Sequence, residues 1–201
     1  MRKYIVLALL LLVMASGAFA LDSNIGLGAG FNYASTYGTF DDYGYSEDWE
    51  MLRSGVYFFA FYGFNRFFEV NLGIMLKQPQ DIIVEGESYG DAVLDDAIAL
   101  QFGIYGKYPF PLGSRFVLFP TLGVDFELSF SNGSDIDYMV DWWHDLWLRG
   151  GIGMDVFITE RLFLRGHLLY GAALAIGGDP ELGTSWSQGF LGKLGVGWML
   201  Y

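Results

Sequence analysis

The stretch Arg115–Phe130, RFVLFPTLGVDFELSF, alternates in polarity from end to end. Phe116, Leu118, Pro120, Leu122, Val124, Phe126, Leu128 and Phe130 form one unbroken apolar face. Val117, Phe119, Thr121, Gly123, Asp125, Glu127 and Ser129 form the other. A period of two places these sets on opposite faces of a β-strand. A helix would wrap Asp125 and Glu127 into the apolar stripe, and Pro120 would break it. Strands in soluble sandwiches are usually about 5–6 residues long, whereas a tilted strand crossing a bilayer needs about 9–11. The length points to a strand with its apolar face on lipid and its mixed face on an enclosed interior. A soluble fold would keep the alternation and turn the apolar face to a core.

The same alternation recurs on both sides of this stretch. Strands are expected at about Asn24–Tyr33, Met51–Gly63, Phe67–Lys77, Ala97–Tyr108, Asp145–Phe157, Leu162–Leu174 and Gln188–Tyr201. The phase of the second rests on Arg53 alone, which is placed inside because both its faces are otherwise apolar. Pro120 lacks a ladder donor, so a local bulge is expected there. The strand connections alternate long and short, which describes an eight-stranded antiparallel up-and-down β-barrel with all long loops at one end.

Charge segregates with the loops. The long connections, 36–50, 78–96, 131–145 and 175–187, hold 5, 6, 4 and 2 acids, or 17 of the chain's 23, and no Lys or Arg. The short turns carry Arg66, Arg115 and Arg161. Aromatic residues gather near strand ends. Phe64, Phe67, Phe68, Phe110, Phe116, Phe163 and Trp198 are expected at one rim, and Trp142, Trp143 and Trp147 at the other, as two interfacial girdles.

Met1–Lys3 is basic, Ile5–Met14 is apolar, and Ala18-Phe19-Ala20 has the form of a cleavage site. That order predicts a secretory signal peptide over residues 1–20, followed by a barrel domain over 21–201. The apolar run is too short to span a bilayer as a helix. The chain has no cysteine, so an exported form is without disulfides. Its formal net charge of −12, with no basic patch, argues against a nucleic-acid partner.

In its strand number, loop alternation and girdles the chain resembles the small eight-stranded bacterial outer-membrane barrels of the OmpX, OmpW and OmpA transmembrane-domain type. The resemblance covers roughly Leu21–Tyr201 and rests on architecture rather than on a motif. It implies residence in the bacterial outer membrane, with outer-membrane lipid as the surrounding partner. It also implies a terminal aromatic residue read by the barrel assembly machinery during insertion. Tyr201 supplies that residue, one position out of phase with the apolar series Leu194, Val196, Trp198 and Leu200.

The candidate chemistry lies on the inner face. Glu69, Asp125, Glu127 and Asp155 are its acids, and Arg53, Lys77, Lys107, Arg149, Arg165 and Lys193 its bases. Counted from the short turns, Glu69, Lys107, Asp155 and Arg165 lie at the periplasmic end and the others higher. Glu69 is expected to pair with Lys107, and Asp155 with Arg165. Buried charges need partners, and an eight-stranded interior is just wide enough for side chains to fill it. The expected function is a non-enzymatic barrel with a side-chain-filled lumen and acidic extracellular loops, in a structural or surface-interaction role. The alternative is a small porin-like channel for ions or small apolar solutes.

Other chemistry is thin. Asp141-Trp142-Trp143-His144-Asp145, with Asp95 and Asp96, places carboxylates beside a histidine at the extracellular rim, but the spacing is not that of the ten-stranded outer-membrane proteases. His167 has no neighbouring serine for lipid deacylation. Asp135 with Asp137, or Asp41 with Asp42, could hold Ca²⁺ through oxygen ligands, though loop acids are more often simply solvated. No Cys/His metal cluster exists, and no cofactor or catalytic residue is expected.

Overall fold

A computed structural model describes residues 23–42, 45–84, 86–88, 97–131, 143–175 and 185–200. Eight long strands carry the fold: β1 (Ser23–Asp42), β2 (Tyr45–Gly63), β3 (Phe68–Val84), β4 (Ala97–Lys107), β5 (Phe116–Ser131), β6 (Trp143–Phe157), β7 (Leu162–Ala175) and β8 (Trp186–Leu200). Two-residue strands at Glu87–Ser88 and Phe110–Pro111 pair with β3 and β5. Each long strand pairs antiparallel with its neighbours in sequence, and β1 also pairs with β8. The sheet therefore closes on itself without an edge, as lipid requires of a strand-built span.

The stagger of that closure fixes the strand tilt. Crossing paired residues from Gly26 through Phe61, Asn71, Gly103, Asp125, Trp147, Ala173 and Ser187 returns to β1 at Thr36, ten residues further along. Ten rises of about 3.3 Å against eight spacings of about 4.8 Å tilt the strands roughly 40° from the axis. At that tilt the 11 residues of β4 rise about 28 Å, close to the ~30 Å of a hydrocarbon core. β1 and β2 have 20 and 19 residues and rise about 50 Å, so they stand well beyond the membrane band.

The face assignment follows the alternation. Leu27, Leu72, Leu122 and Leu194, from four different strands, are 70%, 63%, 62% and 75% exposed, and they belong to an apolar surface around the whole ring. A monomeric soluble protein rarely exposes apolar patches beyond a few hundred Å², so this surface needs an apolar solvent. The opposite faces of the same strands are buried. Tyr57, Phe59, Phe61, Met75, Tyr105, Phe119, Trp147, Phe163, Leu169 and Leu191 fill the interior. The soluble reading, with the apolar face turned inward, is therefore wrong.

The turns at one end are tight and locally specified. Asn65 Oδ1 accepts the backbone N–H groups of Phe67 (2.7 Å) and Phe68 (3.0 Å). Thr159 Oγ1 does the same for Leu162 at 2.9 Å. Such side-chain-to-backbone bonds replace ladder bonds where the chain reverses. Gly113, at φ 100°, supplies the left-handed residue of the turn before β5.

Four expectations need correction. The segment 36–50 is largely strand, because β1 runs to Asp42 and β2 begins at Tyr45. Its Tyr and Thr residues suit a ladder, and acids on a hairpin outside the membrane cost nothing. Likewise β6 begins at Trp143, inside the segment expected as loop, while β3 runs on through the apolar Ile82–Val84, a run that suits such an extension past the membrane. Pro120 causes no bulge, since the β5–β6 register is unbroken from Phe116 to Ser129. Its carbonyl accepts from Tyr108 N just past the last β4 pair, Lys107 with Thr121. The missing donor thus falls in a two-residue gap between that pair and Phe110 with Leu118, where the ladder resumes in the same register. The register shift falls instead on the β2–β3 pair, where Leu52 and Arg53 face Asp81 and Pro79. Lastly, Phe163 and Trp147 do not belong to the girdles: they are 0% and 1% exposed and point into the lumen. Phe67, Phe68, Phe110, Phe116 and Trp198 do lie on the outer surface.

Candidate functional site

Among the described residues, the lumen brings acids and bases together. At its short-turn end Arg165 (β7) organises four strands. It donates through Nε and Nη2 to both oxygens of Asp155 (β6), each at 2.7 Å. Its Nη1 reaches Asn24 Oδ1 (β1) at 3.1 Å and Glu69 Oε2 (β3) at 2.5 Å. Lys107 (β4) donates to the same Glu69 oxygen at 3.1 Å. His167 Nε2 lies 3.8 Å from the other Glu69 oxygen. The guanidinium of Arg165 also rests over Phe61 and Phe163, 4.8 and 4.7 Å from the ring centroids.

Above this tier the contacts are mixed. Tyr105 (β4) donates its hydroxyl to Asp125 Oδ2 (β5) at 2.5 Å. Arg149 Nε (β6) lies 2.9 Å from that oxygen, out of hydrogen-bond alignment, and its guanidinium stacks 4.0 Å over Trp147. Lys193 (β8) has no hydrogen-bond partner, and its ammonium sits 4.3 Å from the Tyr105 ring centroid and 5.4 Å from that of Phe59. Cation–π attraction of this kind gains strength where water is excluded.

The uppermost tier joins Lys77 (β3) to Glu127 (β5) and, at 2.8 Å, to Ser129 Oγ. Arg53 (β2) donates to Thr36 Oγ1 at 2.5 Å and lies 4.0 Å from Asp145 (β6). Thr36 and Ser187 are hydrogen-bonded at 2.8 Å, which joins β1 to β8 behind the arginine.

All eight candidate lumen residues, Glu69, Lys107, Asp125, Glu127, Arg149, Asp155, Arg165 and Lys193, are under 9% exposed. Seven of them join the three ion-paired groups above, and Lys193 alone meets only aromatic rings. Seven members are not evident from the sequence: Asn24, Thr36, Tyr105, Ser129 and Ser187 are uncharged, and His167 and Asp145 carry a catalytic reading only. Parity was the available signal, because Asp145 shares its face with Trp147 and Arg149 two and four residues on. Its side chain is 2% exposed and faces Arg53 rather than a rim site.

The remaining expectations fall elsewhere. Asp95, Asp96, Asp135, Asp137, Asp141, Trp142 and Tyr201 lie outside the described residues, as do the side chains of Asp41, Asp42, Trp143 and His144. Among the described residues no group of three or more His, Asp or Glu is placed to hold a metal ion.

A family model described as "Outer membrane protein beta-barrel domain" matches residues 5–195. Among solved structures, the chain is similar to the outer membrane protein OprG from Pseudomonas aeruginosa, at 17% identity and a TM-score of 0.57, over 90% of this chain and 96% of that one. It is also similar to Neisserial surface protein A, at 14% identity and 0.46, over 88% and 97%. A third is Ail of Yersinia pestis, at 14% and 0.41, over 90% and 100%. No curated protein sequence matches. At such identities OprG supports the fold alone, and the closed eight-strand ring and apolar outer wall agree with it. The chain belongs to the outer membrane protein beta-barrel family and resides in the bacterial outer membrane.

Proposed function

We propose that this chain is a non-enzymatic outer-membrane barrel whose lumen is a plug of side chains, acting in a structural or surface-interaction role. The supporting observation is a set of contacts across the full width of the lumen. In a ring of eight, β3 and β7 are opposite walls, and Arg165 joins Glu69 across them. β4 and β8 are opposite, and the Lys193 ammonium lies 4.3 Å from the centroid of Tyr105. β2 and β6 are opposite, and Arg53 stands 4.0 Å from Asp145. Each contact blocks the axis at its level, and the aromatic residues close the space between levels.

A plug of this kind makes the barrel a rigid post. What it does is then carried by the outer wall, by the β1–β2 hairpin and by the acid-rich connections. Glu50, Asp81 and Glu87 are described acids at that end. The test is liposome swelling: vesicles carrying the refolded protein should remain osmotically tight to small sugars, amino acids and salts. Swelling at rates typical of small porins would replace the plug with the channel.

A further inference from the structure

We infer that the periplasmic mouth of the barrel is a dead-end receptor for a small monocarboxylate with a short apolar tail. A cavity of about 240 Å³ opens at the short-turn end, among Asn24, Lys107, Val117, Phe157, Arg165 and Met199. Phe119, 1% exposed, also lines it. The volume lies below the roughly 300–1,000 Å³ of sites for drug-sized ligands, so the occupant is small.

The charge of the lining favours an anion. Arg66, Lys107 and Arg165 border the cavity against one acid, Asp155. That acid is engaged at both oxygens by Arg165. Glu69 Oε2, behind the wall, accepts from Arg165 and Lys107 together, so two cations share one oxygen. Lys107 is the under-satisfied member. Its side chain is 4% exposed, and its ammonium makes a single hydrogen bond, to Glu69. An ammonium carries three donors, so two remain for a ligand. Two donors from one lysine suit a singly charged, planar carboxylate better than a phosphate dianion, which needs more partners. The rest of the lining, Val117, Phe119, Phe157 and Met199, is apolar and takes the tail. The carboxylate sits at Lys107, with the tail against Phe119 and Phe157.

Butyrate is the probe, read by ligand-observed NMR on the refolded full-length barrel in detergent. Saturable binding on the order of millimolar is expected for a ligand this small. Acetate should bind at least several-fold more weakly, because it lacks the tail, and butylammonium should not bind. Val117→Trp fills the cavity and should abolish binding while the barrel keeps its heat-dependent shift in gel mobility, the sign of a folded barrel. Lys107→Met should weaken butyrate at least tenfold in a barrel that keeps the same heat-dependent shift in gel mobility. Equal responses to butyrate, acetate and butylammonium would reduce the effect to ionic strength and overturn the site. So would undiminished butyrate binding in folded Val117→Trp, or a titration that never saturates.

Discussion

Arg165 on β7 reaches Glu69 on β3 at 2.5 Å, across the full diameter of an eight-stranded ring. The same guanidinium is bidentate on Asp155 of the adjacent strand. One side chain thus ties the far wall of the barrel to the near one. Removing it strands two carboxylates at once. Lys107 still covers Glu69, so Asp155 suffers most.

Arg165→Ala should therefore cost about 3–5 kcal/mol, the usual penalty for breaking a buried pair from one side. Reversible urea unfolding in lipid vesicles measures it. Adding Asp155→Ala to the same chain should restore part of the loss, because the orphaned charge is gone. Restoration will be incomplete, since the span to Glu69 is still missing. A thermally neutral Arg165→Ala would mean that water reaches the site and solvates the survivor.

Gly153 presents a different test of packing. It pairs directly with Phe119, and a Cβ on it would lie 2.2 Å from Phe119 Cε2. The ring of Phe119 lies in the space the glycine leaves. Gly153→Ala should destabilise by about 1–3 kcal/mol, in the range for overpacked interiors. Phe119→Leu in the same chain should recover most of that. If the double variant is as unstable as the single one, the glycine matters for its backbone and not for the ring.

Topology is open to labelling. Cysteines at Asp48 and Glu87, both exposed, and at Gly133 and Gly178 should react with an impermeant thiol reagent on intact cells. Cysteines at Asn65 and Ser114 should react only after the outer membrane is permeabilised. Reaction at Asn65 on intact cells would invert the orientation.

Export has its own readout. The mature chain should begin at about Leu21 by mass spectrometry and should stay with outer membranes after a carbonate wash. Release into the soluble periplasmic fraction would contradict the membrane reading of the apolar wall.

The parts of this fold that depend on local alternation were legible in the sequence. A period of two over Arg115–Phe130 set the inner and outer faces of β5, and Arg53 alone set the phase of β2. The ring and its order followed from connection lengths. What was hidden depends on relations between strands. The polar residues of Thr36–Glu50 read as loop, yet a hairpin outside the membrane can be polar and still pair. The effect of Pro120 depended on where β4 stops, which its own sequence does not say. Phe163 and Trp147 sit near strand ends, a position that by itself suggests the girdles. Their parity with Arg165 and Arg149 placed them inside, and position along the strand misled where parity did not. The pairing of Arg165 with Glu69 was not foreseen. It requires the ten-residue stagger that brings opposite walls to one level, and that stagger exists only once the ring has closed.

If these cross-lumen contacts close the barrel, single-channel recording of the refolded wild-type protein in planar bilayers, in molar potassium chloride, will show it. A plugged lumen predicts a flat baseline at moderate voltage, with discrete steps emerging only in variants that remove Arg165 or Lys193. Steady ohmic steps from the wild-type chain, altered in size or ion preference by Arg165→Ala without loss of stability, would contradict the plug and make this barrel a channel.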